Sequence, residues 1–451
     1  MNSILYISAV TAILLVLVGI SKGYKAPARA LLYFQVFYWA FGYVARPLVL
    51  LIVNPEPKLN DSLADPRLAS LGYDASMPIV FQPILVGLCF YVSIVWLMRA
   101  RANIWLSKSL ENWTGQLRFE TWHVVAIVLG WAARFLFLFE GKGTFSSAVF
   151  ETFALVTYVG LAGVLRYYFQ QTRIPFVLVG ILGVGEFAWS ALSSSKTPVL
   201  IFVVLTLVFL STAKSSLRKG RFTALIGLLG SVTFTLVQSL KLSGIAEKID
   251  AANSSYPAVV QPIMPFLRRF DLFSAATDAT FFNSSRWLSL SEYFQQSVMN
   301  LVPQQLLGIS KLGSGTDWSI TVRSASLGIQ NYEVSLADGF IAEGYLLGGL
   351  TGVVILAVPL YFCLIFTATR IFSNSVPQFT IAAVILTAPV LFERGFLAMT
   401  ELLGKAVQVA LLVVVIIWLV DNLVLKKGSR TYRHHVRGVS ESLEAHVGEK
   451  N

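Results

Sequence analysis

Residues 335–354 read SLADGFIAEGYLLGGLTGVV and open the longest apolar run of the chain, which continues to residue 369. About 20 predominantly apolar residues suffice for a helix to span a bilayer, so this run predicts a transmembrane helix. Two carboxylates stand at its start, Asp338 at the expected membrane surface and Glu343 more than one turn deeper. A carboxylate inside a span needs a partner or water, which makes Glu343 a candidate functional residue. Glycines form a small-residue face suited to close helix packing, at positions 339, 344, 348, 349 and 352.

The rest of the chain repeats this apolar pattern. Hydrophobic residues make up 55% and charged residues 13% of the 451 residues, a balance unlike that of a soluble domain. We therefore predict an all-α polytopic membrane protein with about 11 transmembrane helices and one large helical outer loop. The predicted spans are 3–20, 30–53, 79–98, 121–139, 148–169, 175–192, 197–213, 222–240, 339–369, 377–392 and 396–420.

Basic residues occupy alternate loops, so the net charge of +11 reflects membrane topology and does not indicate nucleic acid binding. By the positive-inside rule these loops are cytoplasmic, which predicts an outer N-terminus and a cytoplasmic C-terminus. The N-terminal run lacks the basic segment and the cleavage site of a signal peptide and is interpreted as the first span. The basic clusters lie at 22–29, 99–118, 166–173, 214–221 and 370, and in the tail 421–451.

The predicted organisation has four parts. Residues 1–240 carry transmembrane helices 1–8, 241–338 form the large extracytoplasmic loop, 339–420 carry helices 9–11, and 421–451 are a basic cytoplasmic tail. In the loop, Pro265 predicts the first turn of a helix that runs to about residue 282. A second, amphipathic helix over 286–302 is predicted to lie on the membrane surface or to cover the bundle as a lid, and packing on its own loop is the alternative. Its apolar stripe comprises Trp287, Leu290, Phe294, Val298 and Leu301.

Charged residues inside the predicted spans lie toward the outer side. Such residues are costly in a membrane and usually face a cavity or a partner. We predict one outward-opening cavity, because separated buried charges would each carry an uncompensated desolvation cost. The alternative for Glu343 is a structural ion pair with Arg46 or Arg134. The cavity residues are Arg46, Arg134, Glu186, Glu343 and Lys405, and Glu151 and Glu401 are further charges at this level.

The densest basic cluster on the outer side is the pair Arg268-Arg269 in PFLRRFDLF. Arginine forks match phosphate oxygens bidentately, so this pair suits a lipid diphosphate, with an Arg268–Asp271 surface pair as the alternative. Lys196 follows three serines in a short outer turn that can hold a phosphate through backbone N–H groups. The alternative for Lys196 is a plain reverse turn with a snorkelling lysine.

Several kinds of site have no sequence signal. No histidine reaches the outer side, and Cys89 and Cys363 lie inside predicted helices. No phosphate-binding loop, dinucleotide glycine fingerprint or zinc spacing occurs, and the pair Asp61 and Asp65 is too little for a metal site. We therefore expect no cofactor, no metal and no nucleic acid partner.

The chain resembles the O-antigen polymerase (Wzy-type) family, also called the oligosaccharide repeat unit polymerases. The resemblance lies in about a dozen spans and in a dominant outer loop, late in the chain, that begins with an arginine pair. It also includes SSSKTPVL at 193–200 and DGFIAEGYLLGGLTG at 338–352. The resemblance implies a GT-C-like, metal-independent glycosyltransferase of the bacterial inner membrane that transfers polyprenyl-diphosphate-linked oligosaccharides onto a lipid-linked repeat unit at the outer face. It maps functional arginines onto Arg268, Arg269 and Arg323. The related O-antigen ligases rely on a histidine in the large outer loop, and this loop has none.

The mechanism this favours is an inverting displacement at the anomeric carbon. Negative charge develops on the leaving diphosphate, and preorganised cations would stabilise it. The candidates for a general base are Asp271, Asp338 and Glu343, although a sufficiently activated leaving group needs none. Expected partners are polyprenyl-diphosphate-linked oligosaccharides, membrane lipids and a chain-length regulator protein. The alternatives are a polytopic transporter or lipid-linked glycan flippase, and a scaffold protein without chemistry.

Overall fold

The computed structural model is helical throughout the residues it describes, and no strand occurs among them. It describes residues 2–58, 61–113, 121–139, 145–169, 176–193, 195, 197–213, 223, 225–230, 232, 236, 255–282, 287–302, 313–327, 338–387 and 395–422. The main helices are Asn2–Ser21, Ala26–Val53, Tyr73–Trp113, Thr121–Phe139, Phe145–Tyr168, Phe176–Leu192, Thr197–Thr212, Met264–Arg269, Leu272–Phe281, Leu290–Leu301, Gly339–Arg370, Val376–Ile385 and Phe396–Val420.

Six of these helices contain a stretch long and apolar enough to cross a membrane, and they coincide with predicted spans 1, 2, 3, 5, 9 and 11. Four shorter apolar helices coincide with spans 4, 6, 7 and 10. The predicted eighth span, 222–240, and the tail lie mostly outside the described residues. The prediction of a helical, membrane-spanning type of fold is supported, while the number of eleven spans and the GT-C architecture stay predictions.

The second helix, Ala26–Val53, defines two opposite ends of the bundle. Next to its start, the Tyr24 hydroxyl donates to the Val95 carbonyl, and the Lys25 N–H donates to Asn103 Oδ1 at 2.9 Å. Near its far end, the Arg46 guanidinium donates to the Ser62 carbonyl at 2.8 Å. We call these the Lys25 end and the Arg46 end. By the distribution of basic residues, the Lys25 end is the predicted cytoplasmic end.

The apolar run that begins at Gly339 does not form one straight span. Gly348 and Gly349 have non-helical backbone angles, and the φ of +57° at Gly349 is one that a side chain rarely tolerates. Phe340 and Tyr361 both contact the ring of Tyr91, with centroids 6.2 and 6.4 Å away. In an unbroken helix they would be about 30 Å apart. The chain therefore folds back at the two glycines, and a short arm, 339–347, lies along a long arm, 350–370.

The described parts of the predicted loop 241–338 pack against the bundle. The single helix predicted from Pro265 is interrupted at Phe270, giving Met264–Arg269 and Leu272–Phe281. Leu272 fills the space beside Gly42, and Phe273 packs on Phe81 with ring centroids 5.4 Å apart. The interruption lets Asp271 point into the bundle, where it contacts the buried guanidinium of Arg46.

The amphipathic helix begins at Leu290 with a capping box between Ser289 and Glu292. It folds back onto the last span through Tyr293, which stacks on Phe396, as the lid prediction requires. Most of the predicted apolar stripe is not the contact surface, however. Leu290 and Phe294 are 70% and 68% exposed, and Val298 and Leu301 are exposed as well. These four residues face away from the bundle, as expected of a helix that lies on a membrane surface. Trp287 is the exception, since it is half-buried and packs on the Trp318 ring with centroids 6.0 Å apart.

Substitution of Gly344 by Ala tests the folded-back geometry. A Cβ there would lie 2.7 Å from the Val353 Cα of the long arm, so we expect a loss of about 1–3 kcal/mol in unfolding free energy. In a straight helix the same change would raise the unfolding free energy by about 1 kcal/mol, because alanine has the higher helix propensity. The measurement is the thermal unfolding midpoint in detergent, with Gly19→Ala as the control because its Cβ would meet nothing within 4 Å. A raised midpoint for Gly344→Ala would contradict the hairpin.

Candidate functional site

Local helix structure sets the position of Arg46 in the candidate site. A π-helical turn, Phe41–Ala45, directly precedes it and shifts the following residues around the helix axis. The Arg46 side chain is almost completely buried, with 1% of the residue exposed. Its Nη1 donates to Asp271 Oδ1 at 2.6 Å. The second span and the large loop are therefore joined by a buried ion pair.

This pair belongs to a larger cluster, which we call the arginine–aspartate network. Asp271 Oδ2 accepts from Arg323 Nη1 at 2.6 Å, and Arg323 Nε donates to Asp278 Oδ2 at 2.7 Å. Asp278 Oδ1 accepts from Arg67 Nη2 at 2.8 Å. Charges this deeply buried are tolerated only where each is paired and hydrogen-bonded. The network comprises Arg46, Arg67, Arg323, Asp65, Asp271 and Asp278.

The surroundings of Asp271 argue against its predicted role as a general base. Burial raises the pKa of this carboxyl, but Arg323 and Arg46 outweigh burial and hold it below its usual value. Both carboxylate oxygens already accept hydrogen bonds from guanidinium groups. Asp271 is therefore a fixed anion that positions arginines, and the alternative of a surface pair with Arg268 is wrong because Asp271 is buried and paired elsewhere.

Arg268 is held differently from the arginines of the network. Its Nε and Nη2 are buried and have no hydrogen-bond partner among the described residues. Burial lowers the pKa of Arg268, because the nearby Asp61 carboxylate offsets its desolvation only in part. That carboxylate is itself engaged, since Asp61 Oδ2 accepts from the Tyr256 hydroxyl at 2.7 Å. Arg268 is thus a partly desolvated cation with two N–H groups left for another ligand.

Further unused donors belong to the same part of the molecule. Arg46 Nε and Arg323 Nη2 are also buried without a partner among the described residues. Arg46 lies close enough to Arg268 to disfavour its charge, and both lie beside the segment that contains Asp61 and Ser62. Arg269 is half-buried and is not free, since it has an interaction of its own. The arrangement can hold an anion with several acceptor oxygens.

Asp338 and Glu343 form a second site, at the start of the last span. Asp338 Oδ1 accepts from the Gly395 N–H at 3.1 Å, and Glu343 accepts from the N–H groups of Phe396 and Leu397. Carboxylates are stabilised there by the partial positive charge of a helix N-terminus. The alternative of an ion pair between Glu343 and Arg46 or Arg134 is wrong, because Glu343 uses backbone donors. Both carboxylates tie the hairpin to the last span.

The remaining predicted cavity residues form two other pairs. Arg134 Nη1 donates to Glu186 Oε1 at 2.7 Å, and the Arg134 guanidinium lies over the rings of Trp131, Tyr158 and Trp189. Lys405 Nζ contacts Glu151 Oε1 at 2.9 Å and Glu401 Oε1 at 3.4 Å. The prediction that five charges meet in one cavity is therefore wrong in its detail: only Arg134 and Glu186 contact each other. Each charge has a local partner, which offsets the desolvation cost that motivated a shared cavity.

Sequence reasoning missed Arg67 and Asp278, which hold the network together. The available signal was Asp278 itself, because a second carboxylate seven residues after Asp271 lies on nearly the same face of an otherwise apolar helix. Asp65 was considered only as a weak metal ligand, yet it pairs with Arg67. Within the described residues no group of three or more His, Cys, Asp or Glu could hold a metal. Lys196 lies outside the described residues.

Comparison of the chain with protein-family models, with curated proteins and with solved structures gives no match. Function therefore has to be inferred from the residues themselves.

Asp278→Asn should destabilise the protein by about 3–5 kcal/mol, because it removes the charge that compensates two buried guanidinium groups. The measurement is the unfolding midpoint in detergent at neutral pH. Glu292→Gln makes the same acid-to-amide change at an exposed capping box and should leave the midpoint nearly unchanged. Equal midpoints for the two variants would show that the network carries little of the stability.

Gly395→Ala should break the cap of the last span, because a Cβ there would overlap the Glu343 carboxylate. Loss of about 1.4 kcal/mol of capping would speed amide hydrogen exchange at Phe396 and Leu397 about tenfold. Mass-spectrometric hydrogen exchange of this segment measures it. The control is Gly313→Ala, where the added Cβ meets nothing within 4 Å. Unchanged exchange in Gly395→Ala would refute the cap.

Proposed function

We propose that the chain is a membrane glycosyltransferase that transfers a polyprenyl-diphosphate-linked oligosaccharide onto a lipid-linked repeat unit, and so lengthens a surface polysaccharide of the O-antigen kind. The observation that carries the proposal is Arg268, whose Nε and Nη2 are buried and lack a partner among the described residues. A diphosphate offers the several acceptor oxygens that these N–H groups need. The apolar helices around it suit a polyprenyl chain.

In this reaction an acceptor hydroxyl oxygen attacks the anomeric carbon of the donor sugar. The new carbon–oxygen bond forms while the bond to the diphosphate breaks, and its electron pair leaves with the diphosphate, so the configuration inverts. Arg268 binds the diphosphate and stabilises the negative charge that develops on it, with Arg269 beside it. Asp271 holds Arg46 and Arg323, whose unused N–H groups supply further donors. No metal or cofactor takes part in this scheme.

The hydroxyl proton goes to a carboxylate or, if the leaving group is sufficiently activated, to water. Asp338 and Glu343 are the carboxylates we retain for this role, because Asp271 is neutralised by two arginines. Glu343 accepts from the backbone N–H groups of Phe396 and Leu397, and a carboxylate has further lone pairs for another interaction. A base in this position would act from the folded-back arm 339–347.

The proposal includes a location and partners. The Arg46 end faces the outside of a bacterial inner membrane, with the N-terminus outside and the C-terminal tail in the cytoplasm. About eleven spans form a GT-C-like bundle, and Lys196 adds a further cation for the diphosphate. The partners are polyprenyl-diphosphate-linked oligosaccharides, membrane lipids and a chain-length regulator protein.

A second candidate is a transporter or lipid-linked glycan flippase. The observation that favours it is the break at Gly348–Gly349, since interrupted helices that line a buried site are typical of transporters. A flippase would bind the same diphosphate and move it across the bilayer without lengthening the glycan.

The proposal is tested with the full-length protein in nanodiscs and in cells that lack the native gene. Arg268→Lys keeps the charge but loses the planar fork, so polyprenyl diphosphate should bind about tenfold or more weakly and the cellular glycan should shorten toward single repeat units. Arg101→Lys is the matched control, because Arg101 is exposed at the Lys25 end. Normal binding and normal polymer in Arg268→Lys and Arg268→Gln would reject the proposal. Translocation of the lipid-linked unit by reconstituted wild-type protein, without elongation, would favour the flippase.

A further inference from the structure

A large cavity opens at the Lys25 end, far from Arg46. Its volume is about 1050 Å³, enough for a lipid headgroup and the upper part of its acyl chains. It lies between the Tyr73–Trp113 helix and the end of the long arm 350–370, where the Ser109 hydroxyl donates to the Thr369 carbonyl at 2.5 Å. The turn after Arg370 closes it on one side.

The polar part of this cavity is cationic. Lys108 and Arg370 line it, and none of the described residues that line it is acidic. Arg370 Nη1 donates to Gln378 Oε1 at 3.1 Å, which orients the guanidinium without neutralising it. Two exposed cations therefore share one cavity with no opposing carboxylate on its walls.

The turn that closes the cavity is held in place by a third cation. Arg166 Nη1 donates to the Ser373 carbonyl at 2.7 Å, and its guanidinium lies over the Phe379 ring at 5.1 Å. Arg166 is thus engaged in structure, and it fixes the wall against which Arg370 lies. Neighbouring helices and this turn form the walls of the cavity.

The other wall is apolar and aromatic. Trp105 and Phe362 are 44% and 43% exposed, and both line the cavity together with Phe366. Ile104, next to Trp105 on the same helix, is also exposed, so the helix presents further apolar surface beside the cavity. Aromatic residues beside cations at the end of a bundle are typical of the level at which lipid headgroups lie.

We propose that this cavity binds an anionic phospholipid of the inner leaflet, with Lys108 and Arg370 on its phosphate and with Trp105, Phe362 and Phe366 along its acyl chains. Basic pockets between transmembrane helices on the cytoplasmic side recognise anionic headgroups in this way. The positive-inside rule puts this end of the bundle at the leaflet where such a headgroup is available. This site is separate from the proposed diphosphate site and does not depend on it.

The test measures retention of phosphatidylglycerol by the full-length protein, using native mass spectrometry after exchange into a neutral detergent. The wild-type protein should retain phosphatidylglycerol in preference to phosphatidylcholine. Lys108→Gln combined with Arg370→Gln should lower this retention about tenfold, the effect of losing a charge-assisted contact. The matched control is Lys22→Gln with Arg101→Gln, which removes two exposed cations from the same end without touching the cavity wall.

Equal retention by the wild-type protein and the cavity variant would overturn the proposal, and so would equal binding of phosphatidylcholine. Inorganic phosphate alone should not displace the lipid at millimolar concentration; if it does, the cavity is a simple anion site and the proposal fails. If the double variant folds poorly, Lys108→Gln alone serves as the test, because Lys108 is at an exposed helix position. This single variant should lose part of the phosphatidylglycerol retention. Arg268→Lys should leave retention unchanged, so this result and that of the diphosphate test are independent.

Discussion

The buried guanidinium of Arg46 requires a carboxylate, and the large loop supplies it in Asp271. This requirement determines much of the architecture at one end of the bundle. A buried cation without a counter-charge would cost several kcal/mol, so the loop that carries Asp271 must enter the bundle. Asp271 also pairs with Arg323, Arg323 pairs with Asp278, and Asp278 pairs with Arg67. These linked ion pairs therefore draw the segment 61–67, the second helix and the predicted large loop together.

The chain also uses backbone charge where no ion pair is available. The arm 339–347 carries Glu343, and the preceding residue is Asp338. Backbone N–H groups at the N-terminus of the last span donate to both carboxylates. The amphipathic helix packs at the same point, because Tyr293 stacks on Phe396. Burial and the nearby Glu343 carboxylate both raise the pKa of Tyr293. Hairpin, last span and surface helix thus meet at one group of carboxylates. With so many cations and anions matched locally, the unused donors of Arg268 stand out as a place for a ligand.

The class of fold was predictable because unpaired backbone groups and charges are costly in a membrane, so membrane-spanning helices appear in the sequence as long apolar runs with few charges. Arg46 was recognisable for the same reason, as a charge inside an apolar run. Its partner was not, since Asp271 lies more than 200 residues away and only packing brings them together. The reversal at Gly349 was missed because glycines spaced by four residues suit a straight packed helix equally well. Arg268 was selected for its place beside a second arginine. The property on which the proposal rests, two buried donors without a described partner, depends on how neighbouring residues pack and is not visible in the sequence.

We propose that fixed ion pairs leave Arg268 available to a diphosphate. An electron cryo-microscopy map of the full-length protein in nanodiscs with a polyprenyl diphosphate tests this. We expect phosphate density within about 3 Å of Arg268 Nε or Nη2, with the Arg46–Asp271 and Arg323–Asp278 pairs intact. Density for the diphosphate at another site, or a protein carboxylate bound to both free N–H groups of Arg268, would contradict it.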